Sequence, residues 1–64
     1  MTKERAHQIV ISLEDAQYGA IVEACFETDD NCELVRTIED VAEMFDLPIE
    51  VIAEIYEAEM YEDR

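Results

Sequence analysis

Thr37-Ile38-Glu39-Asp40-Val41-Ala42-Glu43-Met44-Phe45-Asp46-Leu47-Pro48-Ile49-Glu50-Val51-Ile52 is the stretch that decides the fold. Thr37 reads as a helix N-cap, with Asp40 at the capping-box position three residues on. Ile38, Val41, Ala42 and Phe45 follow at the spacing of one helix face, which predicts a short helix over about residues 37–46. Asp46-Leu47-Pro48 is a turn, and Pro48 suits the first position of a new helix, where its missing N–H does no harm. The last helix is expected over about residues 48–61. Ile49, Ile52, Ala53 and Tyr56 mark its apolar side, widened by Val51, Ile55 and Ala58.

Upstream, Glu27-Thr28-Asp29-Asp30-Asn31 is the clearest loop. Leu34 and Val35 in the segment 33–36 are ambiguous: they could extend the following helix or form a short strand against residues 8–12. Tyr18, Ile21, Val22, Cys25 and Phe26 form one apolar stripe and predict a helix over about residues 13–27. Ser12 would cap it, with Asp15 in the box position and Glu14 near the positive end of its dipole. Gly19 inside this helix costs about 1 kcal/mol relative to Ala and suggests close approach of another backbone. Gln8-Ile9-Val10-Ile11-Ser12 is short, β-branched and bounded by polar residues, so it reads as a strand with Ile9, Ile11 and Leu13 on one face. A lone strand needs a partner, either residues 33–36 or the same strand of a second copy. Residues 1–7 read as a frayed tail. The expected fold is one acidic domain over 1–64, mostly α with a minor β element: an N-terminal strand, then three helices.

Charge dominates the composition. Eighteen of 64 residues are Asp or Glu and four are Lys or Arg, a formal charge of -14 in a chain that is 50% hydrophobic. Equal acidity without apolar content would leave a chain disordered. With it, the expectation is a small folded body wrapped in negative charge. Such a surface repels nucleic acid and anionic membranes and attracts basic protein surfaces. Net charge of about 2–8 in magnitude suffices to keep a small domain soluble.

The acids fall in rows. Glu50, Glu54 and Glu57 share one face of the last helix, and Glu39 and Glu43 lie on its predecessor with Asp40. Glu23 and Glu27 stand at i, i+4 on the earlier helix, with Asp29 and Asp30 just beyond. Neighbours at this spacing sit roughly 5–6 Å apart, while duplex DNA carries one charge per about 1.7 Å of axis. Several such faces on one body approximate a phosphate row. The plainer reading is that each is an ordinary solvated face.

The segment 37–58 resembles a helix-turn-helix core: a Thr cap, an apolar-Ala pair, an aromatic residue, a tight turn, then Leu-Pro and a Val four residues on. Asp46 departs from the family, which often has Gly at the turn. Charge departs further, since the segment holds no Lys or Arg to meet phosphate. The strand and helix expected before it resemble ribbon-helix-helix proteins, again without basic side chains at residues 8–12. In size, acidity and lack of enzymatic equipment the whole chain resembles the small anti-restriction and anti-CRISPR proteins of phages. That resemblance implies inhibition by DNA mimicry, for instance of the DNA-recognising subunit of a CRISPR surveillance complex. Tyr56, Tyr61, Met44 and Met60 would add apolar anchors. The alternative is a protein-interaction module or transcriptional co-regulator of helix-turn-helix descent, and after it a DNA-binding regulator.

Other chemistry lacks its residues. His7 is the only histidine, and with Cys25 and Cys32 it cannot complete a four-ligand zinc site in one chain. Asp29-x-Asn31-x-Glu33 resembles the start of a calcium loop but lacks the required Gly and distal Glu. No nucleophile, base and orienting group come together in the sequence, so no enzyme and no cofactor is expected. Met1-Thr2-Lys3-Glu4-Arg5 has charge but no apolar run behind it, and no segment reaches the roughly 18 apolar residues of a membrane span. A cytoplasmic protein is expected, of a host cell if phage-encoded, monomeric or homodimeric, with reduced thiols.

Overall fold

The β-branched run Ile9-Val10-Ile11 is helical. The computed structural model describes residues 1–62, and among them are four helices and no strand: α1 (Lys3–Ser12), α2 (Asp15–Phe26), α3 (Ile38–Phe45) and α4 (Ile49–Glu62). The expected N-terminal strand and frayed tail are therefore corrected to one helix, and the fold class to all-α. Thr2 starts α1, its side chain accepting the Arg5 N–H at 3.2 Å. Ala6 is fully buried, and Ile9, Val10 and Leu13 pack against the core. These four stand at i, i+3, i+4 and i+7, the spacing of a helical stripe. A helix also satisfies its own backbone, which a strand without a neighbour cannot.

The start of α2 shifts accordingly. Ser12 is the last residue of α1, its hydroxyl donating to the Ile9 carbonyl at 2.7 Å, so it caps nothing. Glu14 is the N-cap of α2 and makes no side-chain cap bond. Gly19 faces open space, with no atom within 4 Å of where a Cβ would stand. Close approach is thus not its reason, and Gly19→Ala is expected to stabilise the chain by about 0.5–1 kcal/mol. Chemical denaturation that showed a loss instead would contradict the open environment.

Residues 27–35 fold into a small closed loop. Thr28 and Leu34 form a single antiparallel bridge, and the Val35 N–H donates to the Glu27 carbonyl at 3.1 Å. The Asp29 N–H donates to Glu33 at 2.9 Å, and Cys32 turns the chain with φ 63°. Leu34 and Val35 neither extend α3 nor pair with residues 8–12. Their partner is the loop itself.

The segment from Thr37 follows its sequence. Thr37 and Asp40 form the reciprocal capping box, both bonds 3.2 Å. Asp46 ends α3 in the left-handed region (φ 54°, ψ 46°), its N–H directed to the Ala42 and Glu43 carbonyls. A left-handed residue at this position explains why related turns favour Gly, and Asp is among the few others that tolerate it.

α4 is the hub, packing against all three other helices. Val51, Ile52 and Ile55 are buried on it, meeting Ile21 of α2 and Val41 of α3 in the same core cluster. Tyr56 stacks on Phe26, ring centroids 4.9 Å apart and planes within 10°. The Tyr18 hydroxyl donates to Glu59 at 3.1 Å, a second tie from α2 to α4.

Candidate functional site

Glu50, Glu54 and Glu57 do share a side of α4, and α1 lies along it. The Met1 amine stands 3.5 Å from Glu50, His7 Nδ1 stands 3.8 Å from Glu54, and Lys3 Nζ stands 3.8 Å from Glu57. The Glu54 side chain is only 19% exposed. The Glu50 carboxyl is held below its ordinary range chiefly by its own backbone N–H, with the nearby amine adding to this. This row lies beside a helix–helix seam, with the Met1 amine and Lys3 as counter-charges and His7 as a third when protonated. Lys3 and His7 stand at i, i+4, so they fall on one face once α1 is helical. Reading residues 1–7 as a tail concealed this.

The second group disperses. Glu27 lies just past α2, and its Oε1 accepts from Arg36 Nη1 at 2.8 Å. Asp29 holds the loop together, its Oδ1 accepting the N–H groups of Asn31 at 2.8 Å and Glu33 at 3.1 Å. Glu23 on α2 and Asp30 at the loop tip are exposed. On α3, Glu39 and Glu43 are exposed one helical turn apart. No ion pair among the described residues engages Glu23, Asp30, Glu39 or Glu43. Among the sequence-predicted acids, those outside any ion pair of the described residues thus lie on α2, α3 and the loop.

Exposed apolar side chains lie on α3 and α4. Met44, Met60 and Tyr61 are exposed, whereas Tyr56 is half-buried on Phe26. Leu34 at 46% and Val35 at 43%, read in sequence only as helix extension or strand, are also exposed. Their adjacency in a polar loop was the available signal. They border a cleft of about 340 Å³ that also touches Ile38, Asp40 and Tyr56.

Both cysteines are free thiols, Cys25 buried and Cys32 exposed, and burial pushes the Cys25 thiol up from its ordinary range. Among the described residues no group of three or more His, Cys, Asp or Glu is placed to hold a metal ion. No described helix is long and apolar enough to cross a membrane. No protein-family model, curated protein or solved structure matches the chain.

Proposed function

We propose that the chain is an inhibitor that occupies the DNA-binding surface of a basic protein by presenting carboxylates in place of phosphates. The observation that carries this reading is the unpaired acidic surface of α3, Glu39 and Glu43 one turn apart, on a body of charge -14. The longest dimension of the molecule is 35 Å. Duplex of that length carries roughly 20 phosphates, comparable to the 18 carboxylates of the chain. Ordinary solubility does not call for such an excess, which opposes folding through self-repulsion. The DNA-recognising subunit of a CRISPR surveillance complex is one partner of the required chemistry. The chain itself would avoid nucleic acid.

The test is displacement. A DNA-binding protein captured on the immobilised chain from a bacterial lysate should release labelled duplex when free chain is added, less so at high salt. Glu39→Lys/Glu43→Lys is expected to weaken this at least about tenfold, equivalent to about 1.4 kcal/mol. Full displacement by that variant would remove α3 from the docking face, and duplex binding by the chain itself would overturn the reading.

The exposure of Met44, Met60 and Tyr61 supports a second reading, a module that docks a protein with no DNA site. Capture of a partner that binds no DNA would favour it.

A further inference from the structure

The cleft beside Leu34 and Val35 has the make-up of a docking site with its own specificity. Leu34 and Val35 are 46% and 43% exposed, yet they are not loosely held. The Thr28–Leu34 bridge and the Val35 to Glu27 bond fix their backbone. Ile38, Cys25 and Tyr56 complete the apolar part of the cleft, with Tyr56 braced by its stack on Phe26, and Arg36, Thr37 and Asp40 form its polar edge. A volume of about 340 Å³ admits one large apolar side chain.

The charge around this lining is lopsided. Residues 27–40 contain Glu27, Asp29, Asp30, Glu33, Glu39 and Asp40 against the single cation Arg36. Arg36 lines the cleft beside Asp40, and its charge is taken up by Glu27 at 2.8 Å. An apolar cleft inside a strongly negative frame selects its occupant. A second copy of this chain brings -14 of its own and is repelled. A segment carrying Lys or Arg on either side of a Leu, Ile or Phe matches both the frame and the lining.

We propose that this cleft is the anchor pocket of the interface: it takes an apolar side chain from a basic segment of the partner protein. The inference rests on the acidic-surface reading above and adds to it. Carboxylates alone attract any basic surface and set the rate of encounter. A buried apolar anchor at the centre of a charged ring determines which basic surface is kept.

Two peptides separate these roles on the full chain: acetyl-Lys-Lys-Leu-Lys-Lys-amide and the same peptide with Ser for Leu. Titration is followed by NMR on the Leu34 and Val35 methyls and the Tyr56 ring. The Leu peptide should bind about tenfold tighter than the Ser peptide and shift these three residues. The preference should vanish in Leu34→Ser/Val35→Ser, whose side chains are exposed enough for the fold to persist. Should that variant unfold, the location of the shifts in the unmutated chain decides alone. Equal binding of both peptides, or a preference that survives in the double variant, overturns the anchor pocket and leaves the acidic surface standing. Absence of binding by either peptide overturns both.

Discussion

Ile52→Ala is expected to leave the chain close to its unfolding midpoint at 25 °C. Ile52 is 0% exposed at the centre of α4 and belongs to the cluster that joins all four helices. Truncating a buried Ile to Ala costs about 2–5 kcal/mol, because the lost transfer energy is joined by an unfilled cavity. A chain of 64 residues holds only about 3–10 kcal/mol of net stability at typical values per residue. Self-repulsion at -14 places this one toward the low end of that range. The substitution thus removes half or more of what is there. Met60→Ala, on the same helix but exposed, should change stability by no more than about 0.5 kcal/mol. Urea denaturation of the two variants measures the contrast. A loss below about 1 kcal/mol for Ile52→Ala would mean that α4 is not the hub.

Raising salt is expected to stabilise the protein, although salt weakens every ion pair in it. The sign follows from the imbalance. Three ion pairs are present among the described residues, with a His7–Glu54 contact that becomes a fourth when His7 is protonated, and each includes an exposed side chain. Exposed pairs contribute about 0–1 kcal/mol each. Against them stand 18 acids and four Lys or Arg, with like charges one turn apart at Glu39 and Glu43, and again at Glu50 and Glu54. The screening length falls from about 30 Å at 0.01 M to about 3 Å at 1 M. The first spans nearly the whole 35 Å body, so most carboxylates repel one another at low salt. Each kcal/mol regained should raise the melting temperature by about 4–8 °C in a domain of this size. A calorimetric scan in sodium chloride from about 10 to about 500 mM reads it directly. A flat or falling melting temperature would show that the local pairs outweigh the general repulsion.

α3, α4 and the turn between them were legible because their signals are local and agree. The capping box of Thr37 and Asp40, the turn at Asp46 and the placement of Pro48 each act within a few residues. α1 was illegible for the opposite reason. Its β-branched run favours a strand by tenths of a kcal/mol per residue, while the apolar stripe of Ala6, Ile9, Val10 and Leu13 finds its partner only in α4, some 40 positions further on. Packing across that distance outweighs propensity. The same gap explains the acidic rows. Helical spacing placed Glu50, Glu54 and Glu57 on one face, but that Lys3 and His7 answer them depends on α1 being a helix at all. The anchor cleft needed the closed loop of residues 27–35, which no repeating pattern announces.

Cys32 in that loop has a practical consequence. It is exposed on the segment that carries Leu34 and Val35, while the other thiol, Cys25, is buried and resists ionisation. Thiolate-selective reagents at neutral pH therefore have one preferred target. A fluorophore or spin label attached there sits two residues from the cleft mouth, on wild-type sequence and outside every helix. Partner engagement becomes observable without altering a single carboxylate.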